Sequence, residues 1–176
     1  MESSIERPLR DETVDYYHPY IDLVPDGDIR VILDDQRQRT LSFMESIPES
    51  RAAHRYAPEK WSVGEILGHI NDCERLYMMR VFWFARAMDS PLPSFHSDMA
   101  VKTSQSANRA LSTHVAEFAA IRASTVAFFR NLPQEAWLRR GVASDYPFSV
   151  RALAYIAAGH VIHHTQILKE RYLRLP

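Results

Sequence analysis

The chain has 176 residues, 46% of them hydrophobic and 24% charged, which is the size and balance of one ordinary globular domain. A formal net charge of −1 leaves no basic excess to draw in nucleic acid or an anionic membrane, and a single cysteine, Cys73, excludes an intramolecular disulfide and suits a reducing compartment. Residues 1–8 are polar, and no run approaches the roughly 20 apolar residues of a membrane span, so a cytoplasmic location is expected.

Five glycines, many strong helix formers and no alternating β-branched runs indicate an all-α protein, one domain over residues 1–176. Residues 1–26 carry Pro8, Pro19 and Pro25 and read as an extended lead-in. Gly27-Asp28 then opens a helix through Val31, Leu33, Leu41 and Phe43 that stops before Pro48. Residues 49–60 are polar, contain Pro58 and read as a connector. The Ser-x-x-Glu spacing of Ser62 and Glu65 is that of a capping box, which starts the second helix. Ile66, Leu67, Ile70, Cys73, Leu76, Tyr77, Val81 and Phe84 follow at three- and four-residue steps, one stripe down a helix of about seven turns ending near Asp89-Ser90. Two prolines make residues 91–98 a loop. A third helix turns Ala107, Leu111, Val115, Phe118, Ile121, Val126 and Phe129 inward and is closed by Asn131 and Pro133. The link to Phe148 holds a short turn around Trp137, and Ser149 caps a fourth helix with the inner stripe Leu153, Ile156, Ala157, His160, His164, Ile167 and Leu168. Four amphipathic helices hide such stripes by packing as a bundle.

Two of those inner positions are histidines one turn apart. His160 and His164 are offset by about 40° around an ideal helix, so both rings can reach a single ion at ~2.1 Å. His69, on the stripe of the second helix, supplies a third inward imidazole, and three nitrogens with open coordination positions form the arrangement of a catalytic metal rather than a structural one. His163 points to the edge of the stripe, where it can bond a ligand or meet solvent. The alternative is that each ring is a core residue satisfied by carbonyls or water, which becomes harder to sustain for three together. Cys73, four residues after His69, is a further possible ligand but reads better as a small buried hydrophobe. His18, His54, His96 and His114 lie outside the pattern and are expected at the surface, with the loop of His96 placed to cover one end of the bundle.

The segment Trp61-Ser62-Val63-Gly64-Glu65-Ile66-Leu67-Gly68-His69 with Asp72 and Glu74-Arg75, and the segment Gly159-His160-x-x-His163-His164-x-Gln166-Ile167-Leu168-x-Glu170-Arg171-Tyr172, resemble the DinB-like (DinB/YfiT-like) family of metalloenzymes. Glu117-Phe118, Ile121-Arg122, Leu132-Pro133-x-x-Ala136-Trp137 and Arg140-Gly141 follow the same pattern in order. The resemblance implies an up-down-down-up four-helix bundle and a divalent metal, zinc or nickel, held by His69, His160 and His164. It also implies a homodimer and chemistry on a small-molecule substrate, either hydrolysis or transfer of a low-molecular-weight thiol to an electrophile. Relatives often carry an acidic residue in the loop after the second helix, where this chain has Phe95-His96-Ser97-Asp98, so Asp98 or His96 takes that place.

The first functional expectation is thus a metal-dependent hydrolase or thiol transferase in which the ion activates water or a thiol, with Asp98 and Glu74 as candidate general bases. The second is a metal- or small-molecule-binding stress-response module without turnover, and the third a structural homodimer whose site has decayed. An enzyme requires a water-accessible pocket with a titratable group beside the open coordination positions, whereas a sensor requires a closed site or a ligand-linked change of shape.

Overall fold

Side chains that satisfy free backbone amides open three of the four long helices of this protein where the sequence places them. The computed structural model describes residues 4–174. Its elements are α1 (His18–Leu23), α2 (Ile29–Glu45), α3 (Val63–Ala85), α4 (Ser97–Ser104), α5 (Leu111–Arg130), β1 (Arg140–Ala143), β2 (Tyr146–Ser149) and α6 (Val150–Ile167). Asp28 accepts from the Arg30 amide at 2.9 Å and opens α2. At α3 the Ser62 amide donates to Glu65 at 2.6 Å and the Glu65 amide donates to Ser62 Oγ at 3.3 Å, a complete capping box. Ser149 Oγ accepts from the Ala152 amide at 3.0 Å and opens α6.

The four long helices α2, α3, α5 and α6 form an all-α four-helix bundle in which α3 packs on α5 and α6, and α2 packs on the same two. Every residue from 150 to 161 is buried, so α6 is the central element. Two apolar clusters make up the core. One joins Cys73, Tyr77 and Phe84 of α3 to Ile156 and Ala157 of α6 and to Ile21 of α1; the other joins Ile66, Leu67 and Ile70 to Val115, Phe118, Val161 and Leu168. A π-helical turn (Leu168–Leu173) continues α6, and its Tyr172 hydroxyl donates to the Trp61 carbonyl at 2.6 Å, fastening the end of α6 to the approach to α3.

Several segments depart from the sequence reading, each for a local reason. The lead-in is not extended: 3-10 turns at Arg10–Glu12 and Asp15–Tyr17 precede α1, whose Pro19 lies in a first turn that needs no amide there. Glu12 pins this segment to α6 by a buried ion pair with Arg151 and by accepting from Ser149 Oγ. Helix α3 stops at Ala85, short of Asp89, because Ala87 turns left-handed (φ 56°) and the Met88 and Ala87 amides donate back to Trp83 and Phe84, a Schellman motif without glycine. Residues 91–98 are not all loop, since α4 begins at Ser97 and Leu92 bridges to Ala143. Gln105 (φ 52°) interrupts the chain before α5, which begins at Leu111, its first amide bonded at 3.0 Å to the carboxylate of Glu49, and leaves Ala107 in the preceding 3-10 turn. The link after Pro133 holds the turn around Trp137 and also a hairpin, β1–β2, closed by Ser144 (φ 53°) and Asp145 (φ 65°), the conformation of a two-residue type I′ turn.

Helix α1 lies against α6 at Gly159 so closely that a Cβ there would fall on the Tyr20 carbonyl. That contact holds the Tyr20 ring 5.8 Å from the His160 ring, so the lead-in forms one wall of the histidine layer. Gly159→Ala is expected to lower stability by about 1–3 kcal/mol, less whatever alanine gains in helix propensity, and to release α1. Denaturant titration reads the first effect, and faster amide exchange confined to residues 18–23 reads the second.

Candidate metal centre

His69 of α3 and His160 and His164 of α6 converge in the layer between the two apolar clusters, and their candidate ligand atoms all lie within 4.8 Å of one another. His69 Nε2 and His160 Nε2 are 3.1 Å apart. The three rings stand edge to face or tilted, with centroids 4.5 to 4.9 Å apart. The i,i+4 spacing puts His160 and His164 on one face of α6, and the α3 stripe carries His69 to meet them. All three are buried, at 6%, 3% and 9% exposure.

Burial decides the charge of this trio. Removal from water pushes His69 down to about 4, against an opposing pull from Asp98, and pushes His164 down to about 3. Burial, reinforced by the neighbouring histidines, holds His160 well below the ordinary range. All three imidazoles are therefore neutral at pH 7 and keep a lone pair free for a cation. Among the described residues no backbone carbonyl accepts from any of these rings, and His164 Nδ1 is buried without a hydrogen-bond partner. His114 shows what a satisfied core histidine looks like: Nε2 lies 3.0 Å from the Ser106 carbonyl and Arg109 lies 3.0 Å from Nδ1. The trio lacks such partners, and its three neutral nitrogens fit a divalent transition-metal ion.

The remaining sequence candidates sort by their contacts. Cys73 Sγ is 3.6 Å from both ring nitrogens of His69 and so is aimed at neither one in particular, and burial lifts its thiol to about 12, so it stays protonated. Glu74 is held in a buried, two-point pair with Arg122, at 2.7 and 2.9 Å. Asp98 is exposed in the first turn of α4, and it lines a 270 Å³ recess together with Trp61 and His164. His163 is half-buried, with its ring against Tyr20 at 5.2 Å and His164 at 5.0 Å. His96 is exposed, as expected, while its neighbours Phe95 and Ser97 line a cleft. His114 corrects the expectation of a surface position: the 3-10 turn Ser106–Asn108, Arg109 and the Gly68 position of α3 lie against the ring, which is fully buried. His18 and His54 are likewise half-buried rather than fully exposed.

That cleft, of about 910 Å³, reaches His69 and His160 and is walled by Tyr17, Tyr20 and Tyr77. Trp61 closes the far side of His69, with ring centroids 4.7 Å apart. The sequence named Tyr77 only as a stripe residue and Trp61 only within the family segment, and it singled out neither Tyr17 nor Tyr20. The usable signal was the α3 stripe, on which His69, Cys73, Leu76, Tyr77 and Arg80 all line the cleft.

A depressed histidine pKa means that the unfolded chain binds the proton first. Stability of the metal-free protein is therefore whole above the ordinary value of 6.5 and falls as the pH drops toward 4, the value to which His69 is lowered. Urea midpoints measured between pH 7 and 4 on chelator-treated protein should decline through this window, and His69→Phe should flatten the decline.

The chain matches the family model described as the DinB superfamily over residues 32–168. No curated protein matches it significantly. Among solved structures it is similar to YfiT from Bacillus subtilis, described as "a probable metal-dependent hydrolase with an unusual four-helix bundle topology". The two are 14% identical and superpose with a TM-score of 0.74, covering 96% of this chain and 93% of the other. The chain belongs to the DinB superfamily.

Proposed function

We propose that this protein is a metal-dependent enzyme acting on a small molecule, with a zinc or nickel ion held by His69, His160 and His164. The carrying observation is the buried trio of neutral imidazoles, which meet one another and Cys73 but no backbone carbonyl, with His164 Nδ1 unpartnered. The description of YfiT as a probable metal-dependent hydrolase supports the same reaction class. When bound, a divalent ion supplies Lewis-acid chemistry that lowers the pKa of a water or thiol beside it toward neutrality.

The residues of the chain then do the rest. Asp98 is the best-placed proton acceptor, because its carboxylate is free of ion pairs among the described residues and close enough for its charge to bear on His69. Glu74 is left to structure, since its carboxylate is already committed to Arg122. Trp61, Tyr20 and Tyr77 surround the trio with ring faces and edges and restrict water around it. The open 910 Å³ cleft favours an enzyme over a closed sensor site. Two recesses reach the trio, one at His69 and His160 and a smaller one at His164, and this favours a reaction of two partners, such as thiol transfer to an electrophile.

Protein purified without a nickel column is expected to carry about one divalent ion per chain by elemental analysis. His160→Ala should weaken metal binding by more than the roughly 10–100-fold typical of losing an outer-shell partner. Turnover by the metal-loaded protein of ester, amide or thiol-plus-electrophile substrates should disappear in the same variant. Equal metal content in wild type and His160→Ala would exclude the proposal.

A further inference from the structure

Three arginines are buried among the described residues, and two of them have a carboxylate: Arg122 pairs with Glu74 and Arg151 pairs with Glu12. Arg80 of α3 has none. It is 1% exposed, no acidic residue among those described forms an ion pair with it, and its Nε and Nη1 lack any hydrogen-bond partner. Nη2 donates to Ser144 Oγ at 2.8 Å, and the Phe148 ring lies 5.5 Å from the guanidinium carbon. The guanidinium also bears on the Tyr17 phenol, partly offsetting the rise that burial imposes there. A hydroxyl, a phenol and a ring face do not neutralise a buried charge.

Arg80 lines the same cleft as His69 and His160. Eleven residues separate it from His69 along the α3 stripe, about 16 Å of helix at 1.5 Å per residue. An arginine side chain leans toward the start of its helix, which brings the guanidinium to roughly 10 Å from the trio. Consistent with that lean, its charge acts on Cys73 and Tyr77, which lie between the two. The acidic side chains lining the cleft are engaged elsewhere or turned to water: Asp15 lies 3.4 Å from His18, and Asp145 is exposed on the hairpin turn.

We propose that Arg80 is an anion subsite, receiving the carboxylate end of an elongated substrate whose reacting bond lies at the histidine trio roughly 10 Å away. The position of the reacting bond rests on the metal-enzyme reading; the anion subsite does not. A monoanion balances the single buried charge, whereas a phosphate dianion would leave a net negative charge in the same enclosure. The carboxylate meets one edge of the guanidinium, taking the place of Ser144 Oγ on Nη2 and accepting from one of the two free nitrogens beside it, and the tyrosine walls pack on the body of the molecule.

Calorimetric titration with 4-phenylbutyrate and its uncharged match, 4-phenylbutanamide, tests this on the full chain, both metal-loaded and metal-free. Wild type should prefer the carboxylate by roughly 10- to 100-fold in both forms. Arg80→Met should abolish the preference without changing metal content, and Arg80→Lys should retain part of it. Should Arg80→Met fail to fold, Arg80→Gln, which keeps donors but no charge, serves in its place. A preference that needs the metal, that survives loss of the Arg80 charge, or that is absent in wild type overturns the subsite and leaves the metal centre standing. A preference held by Arg80 in a protein that takes up no metal keeps the subsite and removes the metal reading.

Discussion

The cost of taking charge out of water governs the middle of this protein. Three imidazoles lie in a layer bounded by apolar clusters on both sides, and the protein meets that cost by keeping them neutral. The same constraint explains why Arg122 and Arg151 bring carboxylates with them into the core. It also separates two kinds of buried histidine within one chain. His114 is closed by a carbonyl and a guanidinium and has nothing left to offer a ligand, whereas the trio retains its lone pairs.

The fold turns this layer into an accessible site through one stripe of α3. Its face begins in one apolar cluster with Ile66, crosses the histidine layer at His69 and continues through Cys73 and Tyr77 along the floor of the large cleft. Helix α6, buried over its first dozen positions, supplies the other half of the layer and has no comparable solvent face there. Walls come from segments outside the four long helices: the lead-in gives Tyr17 and Tyr20, and the hairpin gives Ser144 and Tyr146.

Much of this was legible in the sequence, because the decisive signals are local. The spacing of His160 and His164, the capping box at Ser62 and the cap at Ser149 each depend on a few neighbouring residues, and each is found in place. What escaped depends on distant partners. Residues 18–23 are helical because Gly159 lets a backbone approach α6, and nothing near Pro19 announces that. The hairpin uses Ser-Asp at its turn rather than Asn-Gly and carries Pro147 in its second strand, so neither the usual turn signal nor alternation was present. The commitment of Glu74 to Arg122 follows from the facing of α3 and α5, which a list of acidic residues cannot supply.

The start of α5 carries a consequence for how the chain loosens. Its leading amide is met by the carboxylate of residue 49, 62 positions earlier, instead of by a neighbouring serine or aspartate. The first turn of that helix therefore has no cap of its own, and its order is borrowed from a contact that spans the intervening α3 and α4. Fraying at the head of α5 is thereby tied to the loosening of the connector that follows α2.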